Sequence, residues 1–166
     1  MIVGIMSDTH DNLQMIEAAV NKLNELNVEV VYHAGDYIAP FVDSKLRNLK
    51  APLIGVLGNN DGSTSLLKKK FAEFGADLRG RFAFDIIDGL KIAVVHGDDR
   101  ELLRSLLEVE SHDILITGHT HEAKIYRKGQ TLVINPGETC GLLTGKSTIA
   151  ILDTEKFEAK IIELNK

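Results

Sequence analysis

Four times in this chain an apolar run of strand length meets a glycine and, beside it, a residue able to bind a metal ion. The runs are Val30-Val31-Tyr32-His33-Ala34-Gly35-Asp36, Ile54-Gly55-Val56-Leu57-Gly58-Asn59, Ala93-Val94-Val95-His96-Gly97 and Ile114-Leu115-Ile116-Thr117-Gly118-His119-Thr120-His121. The first strand-like run ends the same way without a glycine, at Ser7-Asp8-Thr9-His10. This repetition constrains the fold more than any single motif does. In an α/β sheet, ligands collect outside the carboxyl ends of strands, where loops begin. Glycine at such a point lets the backbone turn sharply and approach closely. Five strand ends delivering Asp, Asn or His to one rim predict a shared site, which neither packing nor solubility requires.

The sequence between these points alternates plainly in its first half. Residues 2–7 form a continuous apolar run of the kind buried on both faces of a sheet. Asn12 is placed to cap a helix in which Leu13, Ile16, Val20, Leu23 and Leu26 recur at helical spacing. Residues 30–33 and 53–57 are the next strands, residues 40–48 a helix with Pro40 in its first turn, and residues 64–74 a third helix. Alternation of this kind predicts parallel strands joined by right-handed crossovers. In the second half, residues 82–87, 91–96, 114–117, 124–127, 131–135, 148–153 and 159–164 read as strands. Turns such as Asp88-Gly89 and Lys128-Gly129 separate most of them, and one helix interrupts near residues 100–107. The expected architecture is a parallel βαβ half joined to a mainly antiparallel half, with two sheets packed together and helices outside, in one domain over residues 1–166.

Composition narrows the function class. The net charge of −5 comes with no basic stripe, which argues against binding nucleic acid through its phosphates. The one basic run, Lys68-Lys69-Lys70, lies beside Leu66, Leu67, Phe71 and Phe74 and reads as the solvated face of a helix. A single cysteine, Cys140, forbids an intrachain disulfide or a thiolate cluster and reads as a small inert filler. No apolar run approaches the roughly 20 residues that span a bilayer, so a cytoplasmic chain without a membrane partner is expected.

The donors at the strand ends are Asp8, His10, Asp36, Asn59, His96, His119 and His121. In extended chain, the i, i+2 spacing of Asp8 with His10 and of His119 with His121 would aim each pair at a common volume. Four imidazoles, two carboxylates and an amide are too many for one tetrahedral ion. They suit two ions sharing a carboxylate, commonly about 3.5–4 Å apart. Nitrogen and oxygen donors without sulfur fit manganese, iron, cobalt, nickel or zinc. Of the other histidines, His33 lies inside its strand and reads as a packed core residue, and His112, before Asp113, as part of a surface turn.

Asp8-x-His10, Gly35-Asp36, Gly58-Asn59-Asn60-Asp61, His96-Gly97 and Gly118-His119-x-His121 resemble, in order, the motif set of the calcineurin-like metallophosphoesterase superfamily. The short length and the Asn135-Pro136-Gly137 turn are similar to its small single-domain phosphodiesterases of bacteria and archaea. The resemblance implies a four-layer αββα sandwich of two mixed sheets flanked by helices. It implies one ion on Asp8, His10, Asp36 and His121 and a second on Asp36, Asn59, His96 and His119, with Asp36 bridging. The implied activity is hydrolysis of small phosphodiesters by a hydroxide bridging the ions; a phosphomonoesterase or phosphoprotein phosphatase, a nuclease subunit and a non-catalytic scaffold like the retromer subunit are the alternatives. A homo-oligomer is compatible with all of them.

One position departs from the family pattern. Many members carry His where this chain has Asn60, and that His is thought to protonate the leaving oxygen with help from the next acid, here Asp61. An amide does not titrate near neutrality, so Asn60 is left to hydrogen-bond a phosphate oxygen and Asp61 to make a supporting contact. The segment 135–138 is a further candidate for shaping the rim, or simply a Pro-Gly turn.

Overall fold

The computed structural model describes residues 1–109 and 111–165. Its first sheet runs in the order β11-β10-β1-β2-β3-β4. The strands β1 (Ile2–Met6), β2 (Val30–His33), β3 (Leu53–Gly55) and β4 (Asp77–Leu78) pair in parallel. Strands β10 (Thr148–Asp153) and β11 (Glu158–Glu163) extend it antiparallel from the β1 edge. The second sheet runs β5 (Phe82–Ile87), β6 (Leu90–Val95), β7 (Ile114–Ile116), β9 (Thr131–Pro136), β8 (Ala123–Lys128).

The layers follow from which faces are apolar. Val3, Ile5, Val30, Tyr32 and Val56 from the first sheet meet Ile92, Val94, Ile114, Ile116 and Ile134 from the second in one buried cluster. The outer face of the first sheet, with Met6, Val31 and Leu53, is covered by α1 (Leu13–Glu25), α2 (Asp43–Leu46) and α3 (Thr64–Ala72) through Ile16, Leu23, Leu46, Leu67 and Phe71. On the far side, α4 (Arg100–Val109) lays Leu102, Leu103, Leu106 and Leu107 over Ala93, Val95, Leu115 and Val133. Helix, sheet, sheet, helix is the expected αββα order.

Three details differ from what the apolar pattern gives. The second sheet is mixed, as the family resemblance implies and the apolar pattern alone does not, because β6/β7 and β7/β9 are parallel while β5/β6 and β8/β9 are antiparallel. The segment β6-α4-β7 is itself a βαβ crossover, and the β8/β9 hairpin then brings β9 to β7 with the same sense. The expected 40–48 helix is a 3-10 turn, Pro40–Val42, followed by the short α2. Strand β4, two residues long, was too brief for periodicity to reveal. Asn12 caps α1 as expected, its Oδ1 accepting the Met15 amide at 3.2 Å.

Candidate metal centre

The carboxyl ends of β1, β2, β3, β6 and β7 open on one rim, and the loops leaving them are hydrogen-bonded to each other. The Asp8 amide donates to Gly35 O at 3.0 Å, and the Thr9 and His10 amides both reach Asp36 O at 3.1 Å. Within the second sheet, the Gly118 amide donates to His96 O at 2.8 Å. Loops this close leave no room for a Cβ. One added at Gly58 would lie 2.1 Å from Asp36 Oδ1, and one at Gly118 would lie 2.0 Å from Ser7 Oγ. Gly58 and Gly118 are there for proximity, whereas Gly97 has room for a Cβ and is required by its φ of 105°.

Asp36 occupies the middle. Its Oδ2 is 3.3 Å from His10 Nε2 and 3.3 Å from His96 Nε2. On one flank, Asp8 Oδ1 lies 3.3 Å from His121 Nε2 and 3.7 Å from His10 Nε2, and the rings of His10 and His121 are 5.0 Å apart. On the other, His119 stands edge-on to His96 with centroids 5.2 Å apart. Asn59 is exposed on the turn that follows Gly58. The structure therefore gathers six of the sequence-read donors through direct contacts and leaves Asn59 at the mouth.

Three inner donors, Asp8, His96 and His121, are each oriented by a neighbour that occupies the other atom. Ser7 Oγ at 2.6 Å and the His119 amide at 3.1 Å donate to Asp8 Oδ2, leaving Oδ1 facing the centre. His96 Nδ1 is 2.7 Å from the carbonyl of Ala34, and His121 Nδ1 is 2.7 Å from Glu138 Oε2. Both rings are thus disposed to donate through Nδ1 and to present the Nε2 lone pair. Asp8 Oδ1, His10 Nε2 and His96 Nε2 are buried without a hydrogen-bond partner, although buried polar atoms are ordinarily paired. The centre also favours positive charge. Asp36 and Asp8 lift His10 to about 9. Burial pushes the Asp36 carboxyl up, and His10, His96 and Asn60 outweigh it, holding it below the carboxylate range. Unpartnered nitrogen and oxygen atoms converging on a negative pocket fit divalent cations.

The expectation that the two i, i+2 pairs converge because the chain is extended is corrected. Asp8, His10, Asp36, His119 and His121 have φ of 51°, 38°, 60°, 68° and 62°, in the left-handed region. The backbone turns immediately past each strand, and that turn aims the side chains. Such conformations are costly for residues other than glycine and cluster at functional sites.

Asn60 and Asp61 both face this loop layer. The Asn60 amide N–H donates to Asp36 Oδ1 at 2.9 Å and its side-chain Nδ2 to Asp36 Oδ2 at 2.8 Å. The Asp61 carboxylate accepts four backbone N–H groups, from Asp36, Tyr37, Ile38 and Gly58, at 2.7–3.0 Å. It binds the β2 loop to the β3 loop. His33 is a core residue as expected, stacked on Tyr37 at 3.9 Å and held down to about 3 by burial. His112 is not on a surface turn: it is 4% exposed, beneath Thr131, whose hydroxyl donates to its carbonyl at 2.9 Å. Lys68 and Lys69 are exposed on α3, as a solvated face requires.

Two residues of the segment 135–138, which the sequence marks only as a candidate for shaping the rim, make supporting contacts that it does not announce. Asn135 Nδ2 donates to Gly118 O at 2.9 Å and Thr120 Oγ1 at 3.0 Å, latching the loop that carries His119 and His121. Glu138 is fully buried; burial pushes its carboxyl up, and His121 with the Thr144 and Leu143 donors outweighs this and holds it at about 2. The only signal in the sequence was the turn in which both sit.

Residues 1–157 match the family described as the calcineurin-like phosphoesterase superfamily domain. The chain belongs to this superfamily. It is 43% identical over 165 residues, 99% of both chains, to a phosphodiesterase of Methanocaldococcus jannaschii. It superposes with a TM-score of 0.94 on a solved archaeal phosphodiesterase, at 43% identity over 99% of this chain and 100% of that one. A zinc complex of Vps29 from Entamoeba histolytica shares the fold, with a TM-score of 0.69 at 21% identity, covering 99% of this chain and 100% of that one. Membership of this superfamily implies divalent metal ions, and among the described residues Asp8 with His10 and His121, and Asp8 with Asp36 and His96, are grouped closely enough to hold one.

Proposed function

We propose that this calcineurin-like phosphoesterase is a metal-dependent phosphodiesterase acting on a small phosphodiester at a two-ion centre. The observation that carries the reading is Asp36 Oδ2, equidistant at 3.3 Å from imidazole nitrogens on its two sides. Asp8, His10, Asp36 and His121 would hold one ion, and Asp36, Asn59, His96 and His119 the other. Such ions supply Lewis acidity and water ionised near neutral pH.

The protein's own contribution is placement. Ser7, Ala34 and Glu138 fix which donor atoms of Asp8, His96 and His121 face inward. Asn59, Asn60 and His119, all exposed, form the mouth by which a phosphate ester arrives. Asn60 donates a hydrogen bond but has no proton to give to a leaving oxygen. General-acid help is typically worth about 10²–10⁴-fold, so esters with good leaving groups are the favoured substrates. Asp61 acts on the reaction only through the loops it holds.

Manganese, nickel, cobalt, iron or zinc suit the nitrogen and oxygen donor set. A cytoplasmic location, a single domain over residues 1–166 and no nucleic-acid partner belong to the same reading. The scaffold alternative is not favoured, because the chain is 43% identical over 99% of its length to a phosphodiesterase. The test is metal-stripped protein assayed against bis-aryl and mono-aryl phosphates while Mn²⁺, Ni²⁺, Co²⁺, Zn²⁺ or Mg²⁺ is restored. Metal-dependent hydrolysis, faster on the diester, is expected; inactivity on both esters with every ion refutes the reading.

A further inference from the structure

Glu138 stands out among the groups that the reaction does not use. It is a carboxylate with no exposed surface, and its two oxygens divide their partners unequally. Oε2 takes His121 Nδ1 at 2.7 Å and the Cys140 thiol at 3.2 Å, and shares the Leu143 amide. Oε1 takes the Leu143 amide at 2.9 Å, the Thr144 amide, and the Thr144 hydroxyl at 2.7 Å. One side chain thus reaches a metal-facing imidazole with one oxygen and a loop with the other. The loop, residues 141–145, runs between two glycines in left-handed conformation and carries Leu142 and Leu143, 66% and 76% exposed. Its entry is fixed beside the centre, because the Cys140 amide donates to Asp8 O at 3.1 Å and Asn12 Nδ2 donates to Cys140 O at 2.9 Å.

We propose that Glu138 is a positioning residue that selects the metal-binding tautomer of His121 and couples occupancy of that position to the order of the 141–145 loop. This rests on the two-ion reading above. A carboxylate offers only acceptors, so the hydrogen at this contact sits on His121 Nδ1, and Nε2 keeps its lone pair toward Asp8 and the ion. Partners of this kind orient ligating imidazoles, and their loss typically costs about 10–100-fold in metal affinity. The same contact works in the other direction. An ion that fixes the ring fixes Glu138, and Glu138 holds the loop amides. The exposed leucines at the edge of the site are then ordered best when the ion is bound.

The substitution Glu138→Gln separates the two roles, because one oxygen becomes an NH2. Facing His121, that group favours the wrong tautomer; facing the loop, it opposes two N–H donors. Thr144→Val removes the hydroxyl's bond to Glu138 Oε1 and its bonds to the Lys146 backbone, and leaves the His121 contact in place. Three quantities are to be measured on metal-stripped wild type and both variants: Mn²⁺ affinity by chelator competition, the His121 tautomer from imidazole nitrogen shifts, and hydrogen exchange at the Leu143 and Thr144 amides with and without Mn²⁺. The wild type should hold the Nδ1–H form throughout, and its loop amides should exchange more slowly with Mn²⁺. E138Q should lose about 10–100-fold in affinity for one of two ions, and the effect of Mn²⁺ on the loop with it. T144V should keep tautomer and affinity and exchange faster at the loop.

Unchanged tautomer, affinity and loop exchange in E138Q, which would leave neither orientation of the amide with an effect, overturn the proposal. So does wild-type loop exchange indifferent to Mn²⁺, a result that stands even if E138Q fails to fold. Wild-type protein that binds no Mn²⁺ or other divalent ion would sink the two-ion reading itself; binding with an indifferent E138Q sinks only the role of Glu138.

Discussion

Asp61 is the position where sequence and structure point to different work, and its removal can be worked through. Its Oδ1 accepts the Tyr37 and Ile38 amides at 2.7 and 2.9 Å, and its Oδ2 accepts those of Gly58 and Asp36 at 2.7 and 3.0 Å. In Asp61→Asn one of these oxygens becomes an NH2. Whichever way the amide sits, two backbone N–H groups lose their acceptor and face a donor. An unsatisfied buried donor costs about 1–3 kcal/mol. Because the site is only half buried, water will recover part of this, which places the total at about 2–4 kcal/mol. For a chain of this length each kcal/mol moves Tm by about 2–4 °C, so Asp61→Asn should melt roughly 4–16 °C lower. Circular dichroism of metal-stripped protein is the assay, with urea midpoints as a check on two-state behaviour. The damage should reach the site, since Asp36 rides on the loop that Asp61 holds, and Mn²⁺ affinity should fall without loss of any proposed ligand. A Tm within about 2 °C of wild type, the scatter of an ordinary surface change, would refute the idea that Asp61 ties the loops together.

Three further outcomes are expected. Asn60→His should raise turnover of alkyl phosphodiesters more than that of activated aryl ones, because only the former need a proton on the leaving oxygen; equal gains, or none, in steady-state assays on both would remove Asn60 from that position in the mechanism. Burial pushes the Cys140 thiol up to about 12, so a disulfide exchange reagent at pH 8 should leave it untouched until denaturant is added; one equivalent consumed by folded protein would contradict this. His33 is held down to about 3 by burial, so below its unfolded value of about 6.5 the unfolded chain gains a proton that the fold refuses. Its contribution is therefore whole above that value and is lost as pH falls toward 3, by up to about 1.4 kcal/mol per unit; urea midpoints of wild type and His33→Gln that decline in parallel across this window would exclude it.

The parts legible in the sequence were those whose signal is local. Apolar runs marked the long strands, Asn12 marked the start of α1, and glycines marked the strand ends because Gly58 and Gly118 have no space for a side chain. The parts that escaped depend on partners distant in the chain. Glu138 meets His121 from 17 positions away, and Asn135 reaches Gly118 across the same interval. No periodicity announces such contacts. The apolar pattern alone does not give the mixed character of the second sheet, which only the family resemblance implies, because β9 pairs with β7 and not only with its hairpin neighbour β8. The aim of Asp8 and His10 was read correctly in direction but from the wrong backbone, since alternation along a strand and a left-handed turn both bring two side chains together.

Those left-handed residues also limit how the site could change over generations. Five positions each carry a conformational cost of about 1 kcal/mol or more, which the surrounding sheets and loop bonds offset. Asparagine tolerates this backbone nearly as well as aspartate or histidine, whereas valine, isoleucine and threonine do not. A descendant losing one of these side chains by drift would thus pass most easily through asparagine or glycine, keeping the shape of the rim after its charge had gone. The outline of the centre is therefore expected to outlast its chemistry, and a relative retaining the turns is not, on that ground alone, a relative retaining the activity.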